Sequence, residues 1–125
     1  MDLDVFKELE AGDILFIDSS HVSKTGSDVN FLLFDVLPFV QDGVYIHFHD
    51  IFYPFEYPEQ WVFEGRAWNE VYLMRAFLAH NPAFRIEFFS SYIVREHQRK
   101  CESEFTLFAN SCPGSIWLRK LQPAE

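Results

Sequence analysis

The chain has 125 residues, 49% of them hydrophobic and 18% aromatic, and a formal net charge of −9 from 19 acidic and 10 basic side chains. That length reads as one domain, and that much apolar content excludes a disordered chain. The acidic balance excludes a nucleic-acid backbone as partner, because such a partner requires a basic stripe.

The opening Met1-Asp2-Leu3-Asp4 is acidic and has no long apolar run, so it does not read as a secretion signal. Residues 5–10 read as the tail of a helix. Gly12-Asp13 turns the chain into Ile14–Ile17, a continuously apolar run expected to form a buried strand. The polar stretch 19–27 is a loop. Ser27 or Asp28 then caps a helix by accepting a bond from a free backbone amide. Val29, Leu32, Leu33, Val36 and Val40 form one stripe of a 3.6-residue period. Pro38 lies near the end of that helix, and Gln41-Asp42-Gly43 leads into a second strand, Val44–Phe48.

Residues 51–58 hold two prolines and four aromatic rings, which predicts a stiff irregular loop. It serves either as a lid or substrate wall, or as a packed connector. Pro58 suits the first turn of a helix expected to reach about His80, with Gly65 as a candidate break. Ala67, Val71, Met74 and Leu78 mark one face, and Trp68, Tyr72, Leu73 and Phe77 cover others. In Phe84–Phe89, a third strand, Phe84, Ile86 and Phe88 alternate with Arg85 and Glu87, which predicts one face toward water. Residues 93–110 read as a helix or excursion, Pro113-Gly114 as a turn, Ser115–Leu118 as a fourth strand and 121–125 as a tail. Alternating strands and helices predict a single α/β domain with part of its sheet parallel. The last two strands are expected to be antiparallel.

The fifteen phenylalanines imply an aromatic core, or apolar surface that meets a partner or ligand. The most apolar window, Phe31–Val40, is far short of the ~20 residues of a membrane span. Cys101 and Cys112 lack a CxxC pattern and read as two reduced thiols or one disulfide. Arg95–Lys100 is the only dense basic stretch, interrupted by Glu96, and reads as a solvated face or a phosphate patch. The expectation is a soluble, cytoplasmic protein without membrane or nucleic-acid partners.

Two strand ends carry the chemistry: Asp18-Ser19-Ser20-His21 and His47-Phe48-His49-Asp50. In open α/β sheets, ligands bind at the carboxyl ends of the strands. Asp18 is placed to ligate a divalent cation, to accept a cofactor's hydrogen bond, or to cap a turn. His21 reads as a general base or as a solvated loop histidine. His49 and Asp50 offer nitrogen and oxygen donors that suit Mg²⁺, Mn²⁺, Fe²⁺ or Zn²⁺. His47 shares a strand face with His49 and reads as a core histidine. Tyr53 belongs to the aromatic loop. Trp68, Asn69 and Glu70 fall in the expected long helix, with Asn69 and Glu70 on its surface. There is no glycine-rich phosphate loop, GxSxG or HExxH.

The strings Gly12–His21, Gly26–Asn30, His47–Pro54 and Trp68-Asn69-Glu70 together resemble the C-terminal half of a class I S-adenosylmethionine-dependent methyltransferase, nearest the methyltransferase-24 type domain. The resemblance runs from about residue 7 to about residue 120. It implies an incomplete Rossmann-like sheet. Ile14–Ile17, Val44–Phe48, Phe84–Phe89 and Ser115–Leu118 would be the fourth, fifth, sixth and seventh strands, the seventh antiparallel between the fifth and sixth. By the same resemblance, Asp18 and Ser19 touch the cofactor. His21, aided by Asp18, takes the proton of the acceptor hydroxyl. Asp18, His49 and Asp50 hold a divalent metal such as Mg²⁺, His49 standing where relatives carry an acidic residue. Tyr53, Trp68 and Asn69 face a small-molecule acceptor. The family's glycine-rich loop follows its first strand and its ribose-binding acid follows its second; this sequence holds neither. The resemblance therefore implies the acceptor-side half. Its open edge at Ile14–Ile17, or the apolar face around Val29–Val40, would pair with a second copy or a complementing chain. Two other readings stand beside it: a non-catalytic self-associating module, and a metal-dependent hydrolase built on Asp18, His49 and Asp50.

Overall fold

The computed structural model describes residues 1–122; residues 123–125 of the expected tail lie outside the described residues. Its strands are β1 (Ile14–Ile17), β2 (Tyr45–His49), β3 (Phe84–Phe89) and β4 (Ser115–Lys120), forming one open sheet in the order β1-β2-β4-β3. β1 and β2 are parallel, with Ile17 beside Phe48. β4 lies antiparallel to both of its neighbours. The fold is therefore α/β with a four-stranded mixed sheet, and the carboxyl ends of β1, β2 and β3 share one rim.

The stripe read at a 3.6-residue period does form a helix. Ser27 caps α1 (Asp28–Asn30) by accepting from the Asn30 amide, and α1 runs directly into a π-helical stretch, Phe31–Val36. Val29, Leu33 and Leu37 pack on Ile17, Ile46, Phe48, Ile116 and Leu118 of the sheet, with Val71 and Met74 beside them. Val36 and Val40 pack instead on Phe6 of a short 3₁₀ turn, Leu3–Glu8, which replaces the expected helix tail. Val29, Leu33, Val36 and Val40 of that stripe are thus buried inside the molecule.

The long helix expected from Pro58 is two helices, α2 (Glu59–Phe63) and α3 (Glu70–Leu78). Gly65 stands in the left-handed region at φ 87°, which ends the first one. The excursion after β3 is three short helices, α4 (Ser90–Glu96), α5 (Gln98–Glu104) and α6 (Thr106–Asn110). Cys101 and Cys112 are free thiols. Among the described residues, no helix is long and apolar enough to cross a membrane.

β1 is not the buried strand its composition predicts. Ile14 is 55% exposed and Phe16 is 62% exposed. Continuous hydrophobicity predicts cover on both faces, yet helices α1 and α3 cover only the face that carries Ile17. Phe16, His47, Trp117 and Phe88 are register neighbours on the other face. A bulge between Ile86 and Phe88 breaks the expected alternation of β3, so Phe88 turns to this outer face while Phe89 is buried. Phe16 stacks on the His47 ring at 4.4 Å. His47 is buried, but neither ring nitrogen has a hydrogen-bond partner. Burial, then the charge of His49, depresses its pKa against a weaker pull from Asp18.

Gly43 fixes the entry to β2. Its carbonyl accepts from the Gly12 amide at 3.0 Å and its amide donates to Lys120 at 2.8 Å. At φ 84° a Cβ there would stand 2.7 Å from Ala11 Cβ and 3.2 Å from its Cα. Gly43→Ala combines left-handed backbone strain with a clash against main chain. It is expected to lower stability by roughly 2 kcal/mol, read as a lower urea midpoint at unchanged m-value.

Candidate functional site

The parallel register of β1 and β2 sets Asp18 and Asp50 side by side just past the two strand ends. The chain then reverses sharply. His21 and Asp50 are both non-glycine residues at φ 61°, a conformation that costs energy and collects at functional sites. The Asp50 amide is anchored to the Gly114 carbonyl.

His21 lies at the centre and is only 6% exposed. Its Nδ1 is 3.0 Å from Glu70 Oε1. Its Nε2 faces the rim, 3.2 Å from Asp18 Oδ1 and 3.6 Å from Asp50 Oδ2. The Trp68 ring covers the imidazole, with centroids 4.2 Å apart. Burial works against a charged imidazole. The hydrogen bond to Glu70 and the charges of Glu70, Asp50 and Asp18 outweigh it, so the His21 pKa stands above its ordinary 6.5.

Glu70 opens α3 and is 1% exposed. Its other oxygen accepts from Ser19 Oγ at 2.5 Å, and that hydroxyl in turn accepts from the His21 amide. A buried carboxylate that fixes Nδ1–H sets the tautomer and leaves the Nε2 lone pair toward the rim. The loop is held from outside as well. The amides of Asn69 and Glu70 donate to the His21 carbonyl at 3.0 and 3.1 Å. The Asn69 side chain accepts from the Ser23 amide and donates to the Ser23 carbonyl. The Ser20 amide and hydroxyl both donate to Asp28.

Of the residues expected from sequence, the structure brings Asp18, His21 and Asp50 together, with one ligand-capable atom from each lying within 4.8 Å of the others. His49 touches this group only through Asp50, at 3.7 Å, and its ring lies against His47 on the outer sheet face. Trp68 walls the site. Asn69 is a clamp whose side chain is occupied by Ser23, and the Ser19 hydroxyl is spent on Glu70 and the loop. Tyr53 lies elsewhere, against Phe89 and Tyr92, with Arg95 over its ring. Glu70 is the residue the sequence reading misplaced on a helix surface. Its spacing of four from Met74 carried the signal, because with a break at Gly65 both fall on the inner face of a new helix.

No family model, curated protein or solved structure matches this chain.

Proposed function

We propose that the chain is the acceptor-side half of an S-adenosylmethionine-dependent methyltransferase fold, in which His21 is the base that prepares a small hydroxyl acceptor. One observation carries the reading: a buried imidazole pinned by Glu70 on one nitrogen presents the other at an open rim between two carboxylates. The order β1-β2-β4-β3, with β4 antiparallel, supports it as the fourth, fifth, seventh and sixth strands of such a sheet.

In this reading the acceptor's O–H proton passes to Nε2 while Nδ1–H stays on Glu70. The resulting imidazolium is stabilised by Glu70, Asp18 and Asp50, and the acceptor oxygen gains its electron pair. The residues present do not cradle an adenosyl group. Of the two expected to touch it, Ser19 has its hydroxyl engaged, and Asp18 alone has a half-exposed side chain. A methyl donor therefore needs walls beyond the described residues, added along the open Ile14–Ile17 edge. Calorimetry with S-adenosylmethionine tests this, and the isolated chain is expected not to bind. Micromolar binding would overturn the view that this half lacks the cradle. The base is tested with small phenols: binding at the rim is expected to shift the His21 Cε1 resonance. Silence across a set of hydroxylated fragments at millimolar concentration would contradict it.

The Asp18–His21–Asp50 group also favours a second reading, a metal-dependent hydrolase. Two carboxylate oxygens and Nε2 fit a divalent cation such as Mg²⁺ or Mn²⁺, and Glu70 behind Nδ1 is the usual support of a ligating histidine. A bound cation would supply positive charge that lowers the pKa of a water. Base and ligand compete for the same Nε2, so Mn²⁺ titration separates the readings. Selective broadening of His21 at micromolar Mn²⁺ favours the hydrolase, and a spectrum unchanged at millimolar Mn²⁺ favours the base.

A further inference from the structure

The excursion after β3 does not close onto the sheet. α4, α5 and α6 arch over the outer face of β3 and leave a cavity of about 570 Å³. The size falls within the ~300–1,000 Å³ of small-molecule sites. Phe88, turned outward by the bulge, faces Phe108 across it, with ring centroids 6.1 Å apart. Phe105 adds a third ring although it is 59% exposed. Ile93 and the buried thiol of Cys101 complete an almost wholly apolar lining. A folded chain seldom leaves three phenylalanine rings around open space unless something apolar fills it.

The polar groups at this cavity share one character. Among the described residues, Lys100 and His97 are the only titratable lining residues besides the Cys101 thiol, and no carboxylate lines it. Glu96, Glu102 and Glu104 sit on the same helices but lie outside the lining, and Glu102 accepts from Gln98. In a chain of net charge −9, a cavity lined by a lysine and a histidine and by no carboxylate among the described residues is local charge complementarity for an anion.

We propose that this cavity binds a monocarboxylate with an apolar body, its ring or chain among Phe88, Phe105 and Phe108 and its carboxylate on Lys100 and His97. The site is separate from His21 and does not depend on the function proposed for that centre.

The test is calorimetric titration of the full chain with decanoate and with naphthalene-2-carboxylate, each beside its uncharged primary amide. Saturable micromolar binding of at least one carboxylate is expected, with the amide about tenfold weaker. Preference between the two acids distinguishes an aliphatic from an aromatic ligand. Lys100→Gln is expected to reduce the difference between acid and amide, the double variant Lys100→Gln/His97→Gln to erase it, and Ile93→Trp, which fills the cavity, to abolish binding. Amide chemical shifts in residues 88–108 give a second readout should Ile93→Trp fail to fold; the shifts are expected there and not at His21. Equal binding of acid and amide overturns the proposal, as does absence of saturation at millimolar ligand. So does a finding that Phe105→Ser dissolves a dimer without affecting ligand, which would make the face an interface between copies.

Discussion

Glu70→Ala is expected to lower the folding free energy by about 3 kcal/mol, the range seen when one partner of a buried charged pair is removed. The carboxylate is 1% exposed and serves two groups, His21 Nδ1 and Ser19 Oγ. Deleting it leaves both without their partner in the interior, which costs more than the lost bonds themselves. It also opens a void under α3 next to Val71 and Met74. Glu70→Gln keeps the volume and one acceptor and is expected to cost about 1 kcal/mol. Urea unfolding of the pair decides the matter. A Glu70→Ala loss below about 1 kcal/mol would mean that the carboxylate is not the buried support described above.

Phe16→Lys is expected to convert a self-associating chain into a monomer. Among the described residues β1 pairs only with β2, so its other edge presents free amides and carbonyls, a template for another strand. The face beside that edge is aromatic, with Phe16 62% exposed over a His47 whose two nitrogens lack partners. A covering chain would bury Phe16. Sedimentation velocity at micromolar concentration is expected to show a dimer, and the lysine variant to weaken it by tenfold or more, as loss of an aromatic anchor does. Monodisperse monomer at that concentration would contradict the proposed interface. pH adds a check. Because the folded pKa of His47 lies below 6.5, its contribution to stability is present above 6.5 and is lost as pH falls through the folded value. Acidification should therefore lower the stability of the fold.

Much of this architecture is legible in the residues. β1 is an apolar run and β3 an alternating one, each strand is bounded by turn residues, and the Val29–Val40 stripe has a single helical period. The convergence of Asp18, His21 and Asp50 follows from parallel pairing of two runs that both end in polar groups. What escaped has physical causes. Hydrophobicity in β1 reports what the strand is suited to bury against, and helices cover only one of its faces. The β3 bulge, which turns Phe88 outward toward the cavity under α4, α5 and α6, leaves no trace in an alternating pattern. Glu70 was hidden because a continuous helix through Gly65 puts it on the surface, whereas the break at residues 64–69 rotates it inward. His49 was overvalued because strand alternation carries it, with His47, to the face away from His21.

The convergence of Asp18, Asp50 and Glu70 on one imidazole is tested most directly by NMR titration of His21 in the wild type and in Glu70→Gln. The wild-type midpoint is expected above 6.5, since the three carboxylates hold the proton more strongly than burial expels it. The protonated form then adds stability that is complete below 6.5 and disappears as pH rises through the folded value, while a free Nε2 base exists only above that value. Removing the Glu70 charge should bring the midpoint down, because burial then faces only Asp18 and Asp50. A midpoint at or below 6.5 that Glu70→Gln leaves in place would contradict the site.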